Sequence, residues 1–139
     1  MIEKTCKITA LRILSRKSYS VAELRKKLID REFSPEVVEA TICYLAEHGF
    51  INDQLEAERR VHRLQERGFG PYQISGRLAK AGLAVERMTR EEQRETIVKL
   101  LEKTAVKRKE KHKKIAFLQR RGFDLECILE VIKGTPYNM

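Results

Sequence analysis

A seven-residue segment occurs three times in this chain, and it constrains the fold more than any other feature of the sequence. Its two clearest copies lie at residues 64–70 (LQERGFG) and 118–124 (LQRRGFD), and a fainter copy lies at residues 14–20. Each copy has a leucine, two variable residues, a basic residue, a small residue, an aromatic residue and a residue that can start a helix. Such internal repetition predicts a small array of one helical unit. Four and eight positions after each copy, at helical spacing, stand Leu24 and Leu28, Ile74 and Leu78, and Ile128 and Ile132.

Helix-start signals divide the first fifty residues into three helices. Ser20 stands three residues before Glu23, which is the pattern of a capping box. Ser34 combines a capping side chain with Pro35 at the first helical position. Residues 1–51 are therefore predicted to form the first three-helix repeat.

The later boundaries follow from the same kind of signal. The second three-helix repeat is predicted over residues 52–89 and the third repeat over residues 90–134, followed by a tail at residues 135–139. Polar residues with helical periodicity predict one helix near residues 84–88 and another near residues 90–104, although the two could be continuous. Because the third repeat has only two helices of its own, the helix near residues 90–104 is expected to pack in the missing place.

The glycine and aromatic positions of the repeated segment are predicted to be structural. A glycine that follows a basic residue at a helix end is typical of a left-handed helix stop. The aromatic residue after it, Tyr19 in the first copy, is predicted to be a core residue that packs into the corner between two helices. The alternative is that it stacks on nucleic-acid bases. The structural positions predicted from these patterns are Gly68, Phe69, Gly82, Gly122 and Phe123.

Positive charge is concentrated in one part of the chain. The formal net charge is +9, and residues 107–121 alone hold eight Lys or Arg against one Glu, a net charge of +7. A concentrated positive field favours a polyanion or an acidic protein groove, and an array of like units suits a long, repetitive partner. The candidate partner- or DNA-binding residues are Arg25, Lys26, Lys27, Arg31, Arg67, Arg77, Lys80, Lys111, Lys113, Lys114, Arg120 and Arg121.

Patterns for catalysis, metal binding and membrane insertion are missing from the sequence. The three cysteines are far apart, and Cys43 and Cys127, which have apolar neighbours, are predicted to be buried. The three histidines lack ligand spacing, and neither a phosphate-cradling loop nor a nucleophile motif is present. No uncharged stretch approaches the roughly 18 residues of a membrane span, and residues 1–7 lack the apolar block of a signal peptide. The sequence predicts a cytoplasmic, non-enzymatic protein without metal or cofactor.

Several short patterns stand in a fixed order along most of the chain. They are AL-x-x-L at residues 10–14, EL-x-x-KL at 23–28, the helix from Val37 to Leu45 with Gly49 and Asp53, RG and GP at 67–71, Ile74, Leu78, Gly82, and FL-x-RRGF at 117–123. In this order and spacing they resemble the RecX family of bacterial recombination regulators over residues 8–133. One departure is Glu56, because the family usually has an aromatic residue shortly after that aspartate.

The resemblance implies a fold and a function. The implied fold is all-α, with tandem three-helix, helix-turn-helix-like repeats in an elongated, curved array. The implied function is binding along the groove of the RecA recombinase filament on single-stranded DNA, which slows ATP hydrolysis, strand exchange and coprotease activity and thereby restrains recombination and the SOS response. The implied partners are the RecA filament, single-stranded DNA and, weakly and salt-sensitively, double-stranded DNA. No catalytic residue comes with the family, and a monomer is sufficient.

Two other functions stay open at the level of sequence. Three helices with a capping box before the second, together with the basic run, fit a stand-alone helix-turn-helix-type DNA-binding regulator, which would bind duplex DNA tightly without RecA. A purely structural adaptor would carry its charge for solvation only. Reversing Lys111, Lys113, Lys114 and Arg121 to glutamate would then leave all binding intact.

Overall fold

Every regular element in the computed structural model, which describes residues 2–133 except the side chain of Thr104, is a helix. The all-α prediction is therefore confirmed. The tail expected at residues 135–139 lies outside the described residues. The helices are α1 (Ile2–Leu14), α2 (Val21–Asp30), α3 (Pro35–Glu47), α4 (Asp53–Glu66), α5 (Pro71–Lys80), α6 (Arg90–Glu102), α7 (Thr104–Lys107), α8 (Lys111–Arg120) and α9 (Leu125–Lys133).

The first compact unit contains α1, α2 and α3, runs up to Arg59 and also includes Leu78–Ala84. The inward faces of the three helices meet in one apolar core. Burying a leucine of such a core contributes roughly 2 kcal/mol to the free energy of folding. The buried core residues are Cys6, Ala10, Ile13, Leu24, Leu28, Val38, Ile42, Leu45 and Ile51.

The predicted helix starts of this unit are confirmed. The Ser20 hydroxyl oxygen accepts a hydrogen bond from the Glu23 N–H, and the Glu23 carboxylate accepts one from the Ser20 N–H, so the capping box is complete. The same Ser20 hydroxyl donates to the carbonyl oxygen of Ala81 over 2.6 Å. Asp53 accepts a hydrogen bond from the Val21 N–H. Ser20 is fully buried without an energetic penalty because both its donor and its acceptor are used.

The second compact unit contains Arg60–Arg77 and, among the described residues, 85–133. Its core joins α6, α8 and α9, which confirms that the helix expected near residues 90–104 packs with the two helices of the third repeat. The buried residues of this core are Ile97, Leu100, Leu118, Phe123, Cys127 and Ile128.

The helix predicted near residues 84–88 is wrong, since residues 84–89 form no regular structure. Thr89 has extended dihedral angles (φ −71°, ψ 163°) and caps α6 through a second capping box with Glu92. An N-cap residue must leave the helical conformation, so a helix cannot run through this position. Residues 52–89 therefore contain two helices, α4 and α5, rather than three.

The second and third copies of the repeated segment dock against each other, backbone to backbone. The Gly70 N–H donates to the carbonyl oxygen of Arg121 over 2.8 Å, and the Tyr72 N–H donates to that of Gly122 over 3.0 Å. A Cβ atom on Gly70 would lie 2.7 Å from the carbonyl group of Gly122. Gly70, which precedes α5, and Gly122, which follows α8, thus allow two chain segments to approach closely.

The predicted structural residues fall into two groups. Gly68, Gly82 and Gly122 have positive φ angles, as expected for left-handed helix stops. Phe123 is buried in the core, as predicted. Tyr19 is half-buried and packs against the core of the first unit, so the prediction holds for it in part. Phe69 is also only half-buried, and cationic side chains lie over the rings of both residues.

Candidate functional site

The candidate functional site of this protein is its charged surface, because the described residues form no other recognisable site. Within residues 2–133, no group of three or more His, Cys, Asp and Glu side chains is placed to hold a metal ion. No helix in that range is long and apolar enough to span a membrane. Burial raises the pKa of the Cys127 thiol, which disfavours a reactive thiolate. Cys43 is exposed, so its predicted burial is wrong.

Three arginines surround the ring of Phe69 in the second compact unit. Their guanidinium carbons lie 4.2 Å (Arg77), 4.9 Å (Arg121) and 5.3 Å (Arg67) from the ring centroid. None of the three forms a salt bridge with a carboxylate of the described chain. The negative face of the ring and the carbonyl ends of the neighbouring helices offset part of their mutual repulsion. All three arginines and Phe69 can be selected from the sequence, but their contact around one ring cannot.

A lysine pair holds the corresponding position in the first compact unit. The Nζ atoms of Lys17 and Lys27 lie 4.9 and 5.1 Å from the ring centroid of Tyr19. Lys27 is a predicted site residue, whereas Lys17 is not. The signal that could have found it is its place two residues before the repeated aromatic.

The other basic residues predicted in the first unit differ in whether a carboxylate already pairs with them. Arg25 pairs with Glu39 through two hydrogen bonds of 2.7 and 3.1 Å, from Nε to Oε2 and from Nη2 to Oε1. These hydrogen bonds lower the pKa of the Glu39 carboxyl. A partner that used Arg25 would have to displace Glu39, whereas Lys26, Arg31 and Lys80 are exposed.

The basic run supplies α8 with a row of cations. Lys111, Lys113 and Arg120 are exposed and Lys114 is half-buried. In the described chain none of these four side chains is paired with a carboxylate. Arg121 differs from them, because it is half-buried and donates from Nη1 to the carbonyl oxygen of Arg67 over 2.9 Å.

Neutralising Arg120 and Arg121 one at a time should distinguish a structural role from a contribution to surface charge alone. Arg121→Gln loses the hydrogen bond to the Arg67 carbonyl and the stacking on Phe69 and Phe117, so we expect the unfolding free energy to fall by about 1–2 kcal/mol. Arg120→Gln, with the same change of charge, should stay within about 0.5 kcal/mol of wild type. Urea denaturation followed by circular dichroism measures both, and equal stability of the two variants would contradict the structural role of Arg121.

A polar network between distant residues fixes the start of α9. Gln93, which is 1% exposed, donates to Asp124 Oδ2 over 2.9 Å and accepts from the Asp124 N–H over 3.0 Å. Arg87 donates to Asp124 Oδ1 over 2.6 Å. Burial raises the pKa of the Asp124 carboxyl, but hydrogen bonds from Gln93, Tyr72 and Arg87 outweigh it, so the pKa is lowered overall. The helix-starting role of Asp124 is predicted from sequence, but its partners lie too far along the chain for a local pattern.

Comparison with known proteins gives one consistent result. Residues 6–45 match the family model "RecX, first three-helix domain". The regulatory protein RecX of Pseudomonas syringae pv. tomato is 30% identical over 137 residues, which cover 91% of this chain and 88% of that protein. That of Chromohalobacter salexigens is also 30% identical over 137 residues, covering 91% and 90%. That of Vibrio vulnificus is 29% identical over 136 residues, covering 89% and 88%.

Solved structures agree on the fold. The crystal structure of RecX from Lactobacillus salivarius superposes with a TM-score of 0.84 at 24% identity and covers 96% of both chains. A crystal structure of regulatory protein RecX has a TM-score of 0.78 at 23% identity and covers 96% of this chain and 72% of that one.

Proposed function

The chain belongs to the RecX family of regulatory proteins, and from this we propose that it is a non-enzymatic regulator that binds the RecA–single-stranded DNA filament. Binding inhibits the ATPase, strand-exchange and coprotease activities of the filament and so restrains recombination and the SOS response. The protein acts as a monomer in the cytoplasm, without metal or cofactor. Its partners are RecA and single-stranded DNA, and its binding to double-stranded DNA is weak and salt-sensitive.

The observation that carries the proposal is the selective pairing of charge. Arg25, Arg87, Arg90 and Arg94 have carboxylate partners on distant segments of the chain, whereas the α8 cations and the arginines around Phe69 have none among the described residues. A cation without a partner keeps its full attraction for an external anion. This selective pairing supports an external anionic partner for those two sets of cations.

The repeated helical unit supports a filament as that partner. Repeats that each make a weak contact gain affinity together, because every contact after the first forms at a high effective concentration. A filament offers repeated protomers and regularly spaced phosphates, whereas a small ligand would use one repeat only. Relatives named regulatory proteins support a role without catalysis.

Titration into a RecA ATPase assay on single-stranded DNA tests the proposal. We expect the rate of ATP hydrolysis to fall at substoichiometric amounts of the protein. The variant Lys111→Glu with Lys113→Glu should inhibit at least about tenfold less strongly, because reversed charges repel the phosphates that the native cations attract. The variant Lys4→Glu with Arg12→Glu, which changes the charge equally on exposed positions of α1, is the matched control.

Each outcome of this assay has a distinct meaning. An absence of filament binding under every nucleotide condition would refute the proposal. Equal losses in the two variants would indicate that net charge alone matters. Strong, sequence-selective binding to duplex DNA without RecA, measured by gel shift, would favour the stand-alone DNA-binding regulator instead.

A further inference from the structure

Two aromatic rings at the same place in successive repeated segments are bracketed by cations at the same two sequence offsets. For both Tyr19 and Phe69, one cation stands two residues before the aromatic and another stands eight residues after it. The bracketing cations and their distances from the ring centroids are Lys17 at 4.9 Å and Lys27 at 5.1 Å for the first ring, and Arg67 at 5.3 Å and Arg77 at 4.2 Å for the second.

The offsets have a simple helical explanation. The positions five and nine residues after each aromatic point inward, as Leu24, Leu28, Ile74 and Leu78 are all buried. The position eight residues after the aromatic is next to an inward position, so it lies at the flank of the second helix, from which a long side chain reaches back over the ring. The earlier cation follows the preceding helix, on the other side of the corner.

The third copy departs from this pattern. Phe123 is buried at 3% exposure, and Val131 stands eight residues after it in place of a cation. Arg121, two residues before it, instead lies over the rings of Phe69 and Phe117. The repeat can therefore fold without a cation-bracketed aromatic, so helix packing alone does not require this arrangement in the first two copies.

We propose that the two bracketed rings are binding stations for single-stranded nucleic acid. The Tyr19 station consists of Tyr19, Lys17 and Lys27, and the Phe69 station consists of Phe69, Arg67, Arg77 and Arg121. At each station the cations bind backbone phosphate, and a base stacks on the exposed part of the ring or on a guanidinium plane. The inference rests on the proposed function, because it assigns the DNA strand of the filament to these residues.

The chemistry of the stations favours nucleic acid over an acidic peptide. Arginine binds phosphate through a planar fork of donors, and both the guanidinium plane and an aromatic face stack on bases. Base stacking on aromatic side chains tolerates any sequence, which suits a strand that is bound along its length. A carboxylate side chain would use the cations but has no flat face to place against Tyr19 or Phe69.

Charge density alone would assign the nucleic acid to α8 rather than to the two stations. The α8 row is richer in charge, but Lys111 and Lys113 lie over no aromatic ring of the described chain. In the proposal these lysines attract the strand at long range, and the stations hold it. Removing two cations from the stations should then cost more affinity than removing two from α8.

Fluorescence anisotropy of a labelled oligo(dT), with the full chain and without RecA, tests this difference. We expect Lys27→Gln with Arg77→Gln to weaken binding about tenfold or more, because each change removes charge-assisted hydrogen bonds to phosphate. The slope of log affinity against log salt should fall by about 0.7 for each phosphate that the variant no longer neutralises. The charge-matched control, Lys111→Gln with Lys113→Gln, should weaken binding less than about threefold. An equal or larger loss of affinity in the control would overturn the proposal.

The role of the rings has its own test. Wild-type protein should bind oligo(dT) more tightly than an abasic strand of the same length, by about fivefold or more. Phe69→Leu, which keeps all the cations, should narrow that difference, with unchanged circular dichroism as evidence of folding. Arg77→Gln, which changes an exposed residue, is a second variant for the comparison of oligo(dT) with the abasic strand. Competition by poly-glutamate as strong as that by oligo(dT), with no preference for bases, would overturn the assignment to nucleic acid.

The ATPase assay run on the same variants distinguishes this inference from the proposed function. If wild type inhibits RecA and the station variant binds oligo(dT) as tightly as the control, the stations are refuted while the function stands. If wild type fails to inhibit RecA but the station variant alone loses oligo(dT) binding, the stations stand and the function is refuted.

Discussion

Gly122→Ala is expected to lower the free energy of unfolding by about 3–5 kcal/mol, because the new side chain is strained and also collides with a neighbouring backbone. Gly122 has a φ of 95°, where a residue with a Cβ atom is disfavoured. That Cβ would lie 2.5 Å from the backbone nitrogen of Gln73, which real structures do not tolerate. Relief requires the segments to separate, and the hydrogen bond from the Tyr72 N–H to the Gly122 carbonyl would then break. Valine should be worse than alanine here.

Two other glycines are matched controls for this prediction. Gly49 also has a positive φ, of 75°, but nothing lies within 4 Å of a Cβ placed there, so Gly49→Ala should cost only about 1 kcal/mol of backbone strain. Gly76 lies inside α5 with open space around it, so Gly76→Ala should stabilise by about 0.5–1 kcal/mol. Urea denaturation gives all three values. A cost for Gly122→Ala no larger than that for Gly49→Ala would disprove the close docking of the repeated segments.

Asp124→Ala is expected to cost about 2–4 kcal/mol, since it leaves the buried Gln93 amide without its partner and removes a carboxylate from the start of α9. Glu126→Ala is the control, because the Glu126 side chain is 74% exposed in its ion pair with Arg90. Exposed ion pairs contribute little, so the control should change stability by less than about 1 kcal/mol. Similar losses of stability in the two variants would show that the Asp124 network is no stronger than a surface ion pair.

The Asp124 carboxylate should also make stability depend on pH. Burial raises its pKa. The hydrogen bonds and the charge of Arg87 together lower the pKa by more than burial raises it, so the pKa is lower in the folded state than in the unfolded chain. The stabilisation is therefore fully present above the unfolded pKa of about 4 and disappears as pH falls through the folded pKa. The stability difference between wild type and Asp124→Asn should shrink below about pH 4, as measured by denaturation at a series of pH values.

Sequence was sufficient wherever a structure depends on residues close together in the chain. The capping box at Ser20 and the left-handed stop at Gly122 could be predicted because each needs only a few neighbouring residues. The error near residues 84–88 could have been avoided by the same rule. Thr89 and Glu92 have the spacing of a capping box, which requires the helix to start there rather than continue.

Sequence was insufficient where distant segments decide the outcome. Phe69 reads like Phe123 in the repeated segment, yet it is only half-buried, and Arg121, 54 residues beyond Arg67, lies over its ring. Gln93 looks like any polar helix residue until the fold places it beside Asp124. The candidate basic residues could be chosen from composition. Which of them are paired, half-buried or bracketing a ring depends on tertiary contacts.

The docking of the second and third repeated segments has a consequence for the order of events during protein synthesis. Gly70 and Tyr72 obtain their backbone acceptors from Arg121 and Gly122. At a translation rate of about 5–20 residues per second, those acceptors are made roughly three to ten seconds later. Until then Gly70 and Tyr72 lack these two acceptors, while Leu78–Ala84 is already available to the first compact unit. The second compact unit is therefore completed only after residues 121 and 122 have been synthesised.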